Sequence, residues 1–187
     1  MTSHTNGDKP RFLVVHDYGM GQVAWWIRAR SAREIVETFA ECEVLDTPEA
    51  LEAAAGWALE EVDIDAPTMP PGLDGMRAER DGQRDLPGFG ALAGRGIVYV
   101  VQPWDGDEDF EPSDYLVELD SDGRRLRQIE VREDGDAVRT DIDDWLFNPP
   151  FDLYDPELAE CEIDKDEFER AWQAARPAPR DPSDFEI

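Results

Sequence analysis

The sequence predicts an α+β fold, with an N-terminal hairpin plus helices, a Pro/Gly-rich connection, and a C-terminal antiparallel β-meander with a packed helix. Three observations support this prediction. Two Asp-Gly pairs separate alternating runs in the second half, capping signals open helices in both halves, and a stretch dense in proline and glycine lies between the halves. The 187 residues suit one medium domain or two small ones.

The first lobe is predicted to span residues 11–64. Residues 1–10 are polar and lack the apolar segment of a secretion signal, so we expect them to form a flexible tail. Apolar residues dominate 11–15 and 22–29, on either side of a connection that contains glycine. This arrangement predicts a β-hairpin at the start of the lobe.

Two helices are expected to follow the hairpin. Ser31 with Glu34 three residues later forms a capping-box pattern, in which each side chain satisfies a backbone amide of the new helix. Thr47 before Pro48 is a second start signal, because proline at the first helical position removes no needed donor. Residues 57–64 fit either a strand or a last helical turn.

Residues 65–95 are predicted to be a connection, either ordered and packed or a linker between two lobes. Proline and glycine recur too often here for a long element, although residues 73–84 allow a short amphipathic helix. Residues 88–93 match a relaxed Gly-x-Gly-x-x-Ala pattern. A dinucleotide loop must leave a strand and enter a helix, and here the order is reversed, so no nucleotide cofactor is predicted.

The second lobe is predicted to span residues 96–176. Residues 97–101 are apolar enough for a buried strand. Alternating runs then surround Asp-Gly pairs at 122–123 and 134–135, and residues 137–140 close the set. Asp-Gly suits tight hairpin turns because both central positions can take positive φ, so this pattern predicts an antiparallel meander.

A helix is expected to lie across the apolar side of this meander. Asp164 is its predicted cap, and Phe168 and Trp172 recur at helical spacing on one face. Pro177 is expected to end the helix. Residues 177–187 are predicted to be a second flexible tail.

The charge balance restricts the classes of partner. The chain has 45 acidic and 18 basic residues, a net charge of −27, and the excess is larger after residue 94. Such a chain repels phosphate, so we expect no direct contact with nucleic acid and no docking on an anionic membrane. Codon bias of a GC-rich genome or adaptation to salt would also produce this acidity.

The cysteines and the longest apolar runs suggest a cytoplasmic protein. Cys42 and Cys161 are far apart and have no metal-type spacing, so we expect free thiols in a reducing compartment. No run approaches the roughly 18 apolar residues of a membrane span. Residues 105–116 begin like a calcium loop, but Phe110 occupies the position that requires glycine, and no metal is predicted.

Catalytic patterns are sparse. No serine lies in a Gly-x-Ser-x-Gly elbow, and only two histidines could partner a nucleophile. One of them, His16, precedes Asp17 and Tyr18, and these three residues could form a small enzyme or ligand site. Such a histidine is more often a satisfied residue at a strand end. No catalytic residue is assigned, and the balance favours a non-enzyme.

The clearest functional signal is a set of acidic residues interleaved with aromatic ones. A basic partner would be attracted by the carboxylates and anchored by the aromatic rings. The alternative is a solvated acidic surface around core tryptophans. The predicted partner-binding residues are Trp104, Asp105, Asp107, Glu108, Asp109, Phe110, Glu111, Asp114, Asp143 and Asp144.

The meander and last helix also carry a resemblance. The run YLVELDSDGRRLRQIEVREDG from Tyr115, with DEFERAW from Asp166, resembles a family of small acidic actinomycete proteins, some similar to immunity proteins of polymorphic toxin systems. FLVVHDYG from Phe12 and AWWIRARS from Ala24 resemble a second actinomycete segment. The shared motifs are turns and caps, so the resemblance implies source and fold and transfers no catalytic residue.

Together these observations predict a non-enzymatic, cytoplasmic interaction protein. The leading hypothesis is an immunity-like protein that masks a basic toxin or nuclease surface. A DNA mimic, with carboxylates spaced like phosphates along one face, is a further alternative to the enzyme hypothesis.

Overall fold

The computed structural model describes residues 9–17, 19, 21–106 and 111–179. The chain forms two compact units, Met1–Phe89 and Gly90–Ile187. Each unit combines helices with its own β-sheet, which confirms the predicted α+β class. Most of the two predicted tails, residues 1–8 and 180–187, lies outside the described residues.

The sheet of the first unit is built around the predicted hairpin, which is confirmed. Its strands are β1 (Arg11–Asp17), β2 (Gln22–Arg28), β3 (Glu43–Leu45) and β4 (Glu61–Asp63), in the spatial order β3-β1-β2-β4. β4 runs parallel to β2, so the ambiguous stretch 57–64 contains a strand. Apolar residues are consecutive along β1 and β2, because both faces of the sheet are covered.

The first helix, α1 (Ala32–Thr38), begins at the predicted cap. The Ser31 hydroxyl accepts a hydrogen bond from the Glu34 backbone amide at 3.1 Å. The Glu34 carboxylate accepts from the backbone amide of Arg30, one residue earlier than the capping-box pattern implies. Ile35 of this helix is buried against β1 and β2.

The second helix, α2 (Pro48–Ala54), also starts as predicted. Thr47 accepts from the Ala50 amide at 3.3 Å, and Pro48 occupies the first helical turn. Ala54 packs on the face of the sheet opposite α1, in a cluster that includes Leu13.

The predicted connection contains a third helix, α3 (Leu73–Gln83). Leu73 and Met76 are buried in the same core as Ile35, so this stretch belongs to the first unit as packed structure. The fully buried Arg80 donates to the Phe39 carbonyl at 3.1 Å, just after the end of α1. Its charged group therefore caps backbone that packing would otherwise leave unsatisfied.

The sheet of the second unit confirms the predicted meander. Its three strands Ser113–Leu119, Arg125–Arg132 and Ala137–Asp141 are consecutive and antiparallel, with turns at 120–124 and 132–136. The strands are β5 (Val98–Trp104), β6 (Ser113–Leu119), β7 (Arg125–Arg132), β8 (Ala137–Asp141) and β9 (Arg176–Pro177), in that spatial order.

Two helices cover this second sheet. α4 (Pro156–Glu160) places Leu158 against Val100 and Val117 on one face. α5 (Lys165–Ala174) starts at Asp164, which accepts from the Glu167 amide at 2.8 Å. Its Phe168 packs on Ile129 of the other face, as the helical spacing predicted.

The chain beyond α5 differs from the prediction. The helix ends at Ala174, and Arg176–Pro177 then forms β9, parallel to β8. Ala178 donates to the Arg139 carbonyl at 3.0 Å. The predicted tail therefore begins with residues that are hydrogen-bonded to the sheet, because β8 offers them an unpaired edge.

Candidate functional site

His16 lies in β1 as a buried residue with a backbone partner. Its Nδ1 is 2.8 Å from the Glu41 carbonyl oxygen, which can only accept, so Nδ1 carries a proton. The exposed Asp17 accepts from the Gly19 amide at 2.7 Å and stabilises the hairpin turn. Tyr18, the third residue of this alternative site, lies outside the described residues. These contacts match the structural interpretation of His16.

The structure divides the predicted partner-binding residues between opposite ends of the second sheet. Trp104 pairs with Ser113 at one end, whereas Asp143 and Asp144 follow β8 at the other end. The seven residues of β6 separate the two ends by about 20 Å. Asp107, Glu108, Asp109 and Phe110 lie outside the described residues.

At the first end, Trp104 and Asp114 lie on opposite faces of the sheet. Trp104 is half-buried, with its ring centroid 6.4 Å from that of Tyr115. Pro103 pairs with Asp114, so Trp104 and Asp114 point to opposite faces of the sheet. Asp105, Glu111 and Asp114 are exposed. The described part of this cluster offers carboxylates to solvent without an exposed aromatic anchor.

The other end carries exposed apolar side chains on residues 141–148, which we call the 141–148 loop. Ile142 and Phe147 are each 56 % exposed, and Leu146 is fully exposed at 109 % of its reference area. Pro149 and Pro150 follow directly and disfavour a helix or a central strand. An apolar run in such a position is therefore a sequence signal for surface exposure.

Carboxylates alternate with these apolar residues. Asp141 caps the single 3₁₀ turn at Ile142–Asp144, and Asp144 accepts from the Asp141 amide at 2.9 Å. The Asp143 carboxylate is exposed and makes no hydrogen bond or ion pair among the described residues. The 141–148 loop therefore presents apolar and negatively charged groups side by side.

The start of β7 fixes the far end of the 141–148 loop. The Asn148 side chain accepts from Arg125 Nε at 3.1 Å and donates to the Arg125 carbonyl at 2.9 Å. Arg125 also donates to the Phe147 carbonyl at 3.2 Å, and its guanidinium lies 4.8 Å from the centre of the Trp145 ring. Arg124 donates to the Asn148 carbonyl at 2.7 Å. We call these contacts the Arg125–Asn148 clamp.

A second arginine cluster lies between the sheet and α5. Arg127 forms ion pairs with Glu118 on the neighbouring strand and with Glu169 on the helix. Its guanidinium is 4.9 Å from the ring centres of both Phe168 and Trp172. These contacts bind the helix to the sheet, and sequence reasoning did not identify them.

Electrostatic shifts in this cluster follow from its contacts. The hydrogen bond from Arg127 lowers the pKa of Glu169, and the hydrogen bond to Glu118 raises the pKa of Arg127. Burial raises the pKa of Tyr99, with a further increase from the nearby Glu118 charge. Tyr99 donates to Glu118 at 3.1 Å, so these groups are engaged with one another and point to a structural role.

Among the residues that the structure describes, no group of three or more His, Cys, Asp or Glu side chains could hold a metal ion. Within the same ranges, no helix has the length and apolarity needed to cross a membrane. Comparisons with protein-family models, curated proteins and solved structures give no match to this chain. The candidate site therefore depends on the geometry of the 141–148 loop.

Proposed function

We propose that this chain is a non-enzymatic interaction protein that binds and masks a basic protein, as an immunity protein masks a toxin. The observation that carries the proposal is the exposure of Ile142, Leu146 and Phe147 beside acidic residues. Contiguous exposed apolar side chains rimmed by polar groups are typical of protein interaction surfaces. A single scattered apolar residue would need no such explanation.

Charge supports a basic partner. The second unit contains 28 acidic and 10 basic residues, and several of those cations are already paired within it. The remaining negative field would accelerate encounter with a basic protein and repel acidic ones. We place the interaction in the cytoplasm, since Cys42 and Cys161 are free thiols, which suits a reducing compartment.

The enzyme alternative has less support. His16 is buried and bonded to the Glu41 carbonyl, and Asp17 is engaged in the hairpin turn. A general base must lie within hydrogen-bond distance of its substrate or reach it through one water. The burial of the His16 ring therefore argues against its use as a general base.

Affinity capture tests the proposed function. The tagged chain is incubated at low salt with nuclease-treated lysate of its own organism, and retained proteins are identified by mass spectrometry. We expect one basic protein, which is then purified and titrated by calorimetry to establish stoichiometric binding that weakens as salt increases. Failure to recover a reproducible basic protein, or failure of the purified pair to bind, would contradict the proposal. Displacement of the partner by duplex DNA would instead favour the DNA-mimic alternative.

A further inference from the structure

The 141–148 loop is prearranged on its unit. Its first turn is closed by the reciprocal bonds of Asp141 and Asp144, and its last residue is held by the Arg125–Asn148 clamp. Both ends are therefore fixed to neighbouring strands of one sheet. A segment held in this way loses little conformational freedom on binding, which favours affinity.

Among the apolar side chains of the 141–148 loop, that of Leu146 is the most exposed to solvent. Its neighbour Trp145 is half-buried beneath Arg125, whereas the Leu146 side chain is fully exposed. A concave apolar surface would remove such a projecting leucine from water most completely. The carboxylate of Asp143 lies three residues away in sequence and is exposed, so it would meet the rim of such a pocket.

We propose that Leu146 is the anchor of this interaction and enters an apolar pocket, rimmed by arginine or lysine, on the basic partner. This inference rests on the proposed function and specifies its contact site. Asn148 and Arg125 act as positioning residues that hold the anchor ready. Charge complementarity favours a basic protein as the partner at this site. A second copy of the chain has a net charge of −27 and would bring like charges together.

The test uses the purified partner from the capture experiment and the full chain. Leu146→Ala is expected to weaken binding roughly 30-fold, as for a buried interface hot spot. Asp143→Asn is expected to slow association and to reduce the salt dependence, since its carboxylate is exposed and makes no hydrogen bond or ion pair with another described residue. Circular dichroism and thermal melting confirm that each variant is folded.

Two matched controls separate this site from general charge and hydrophobicity. Trp57→Ala removes a large apolar side chain that is 54 % exposed in the first unit. Glu133→Gln removes an exposed carboxylate in the 132–136 turn, at the other end of the second sheet. Both variants are expected to bind within about twofold of the wild type.

A separate measurement tests the positioning role of Asn148. Asn148→Ala is expected to weaken binding with a larger entropic penalty, because the anchor must then be ordered on association. Asn148→Asp keeps the acceptor oxygen that faces Arg125 Nε but places its other oxygen against the Arg125 carbonyl, so it is expected to restore only part of the affinity. Equal affinity of Asn148→Ala and the wild type would overturn this part of the inference.

The remaining outcomes are also decisive. If the captured partner binds Leu146→Ala as tightly as the wild type, the inference is wrong and the proposed function stands. If no partner is recovered, both fall. Self-association of the wild type in sedimentation experiments, abolished by Leu146→Ala, would identify a second copy as the occupant and overturn the inference. Photo-crosslinks from position 146 to an acidic or flat surface of the partner would do the same.

Discussion

Arg125 and Arg127 both lie over tryptophan rings of the second unit, with opposite consequences. Arg127 contacts Trp172 and Phe168 and is paired with two carboxylates, so its cluster joins α5 to the sheet. Arg125 contacts Trp145 and bonds to amide and carbonyl oxygens, and it holds a loop whose apolar side chains face solvent. An arginine over a tryptophan ring therefore stabilises a packed core in one cluster and holds an exposed loop in the other.

The difference shows which contacts should control stability and which should control binding. Glu118 and Glu169 both pair with Arg127, from the sheet and from the helix, so removing Arg127 leaves two carboxylates without this ion-pair partner. The Arg125–Asn148 clamp contains no carboxylate, and its loss leaves no buried negative charge. The two clusters therefore make separable predictions.

The largest expected effect is that of Phe168→Ala. Phe168 is fully buried between α5 and the sheet, and its removal is expected to destabilise the second unit by about 3 to 5 kcal/mol. Urea denaturation gives the free energy of unfolding. The control is Phe147→Ala, which truncates a mostly exposed ring and is expected to change that free energy by less than about 0.5 kcal/mol. Similar losses in both variants would contradict the division between core and surface.

Arg127→Ala is expected to have the next largest effect. The variant removes the ion-pair partner of the buried Glu118. We expect the free energy of unfolding to fall by roughly 2 to 3 kcal/mol, which is less than for a fully buried pair because Arg127 is partly exposed. Arg125→Ala, the matched variant, is expected to lose about 1 kcal/mol or less. Denaturation curves for both variants test the comparison. A larger loss for Arg125→Ala would show that the clamp is the stronger structural element.

The smallest predicted effect depends on pH. Arg127 lowers the pKa of Glu169 below its ordinary value of 4.5, so the ionised carboxylate stabilises the folded state. The stabilisation by the ionised Glu169 is complete at pH values above its ordinary pKa of 4.5, and it is lost as the pH falls through the lowered pKa of the folded state. Glu169→Gln should therefore be less stable than the wild type at pH 7, by up to about 1 kcal/mol, and should converge with it in acid. A constant difference across this range would contradict the assignment.

Local signals predicted much of the fold. The caps at Ser31, Thr47 and Asp164 act within one helical turn, so they can be recognised from the local sequence alone. The two Asp-Gly turns are likewise visible in the sequence, because glycine takes the positive φ that each turn requires. The short strands β3 and β9 were not predicted, because two or three residues gain strand geometry from pairing with distant segments.

The candidate site was predicted only in part. Asp143 and Asp144 were identified by composition, but composition gave equal weight to Trp104, whose ring lies against Tyr115. Exposure depends on register and tertiary packing, which the interleaving of acidic and aromatic residues does not encode. The signal that was overlooked is the apolar run 145–147, which only Asn148 separates from two prolines.

Gly123 makes the 141–148 loop inseparable from the meander that carries it. Its φ is +84°, and a Cβ there would lie 2.2 Å from the Phe151 carbonyl oxygen, while its own carbonyl accepts from the Phe151 amide at 2.8 Å. Any larger residue would displace the chain that leaves the loop. Moving the 141–148 loop to another scaffold would therefore require the 120–124 turn as well, and a substitution at position 123 is expected to shift the loop.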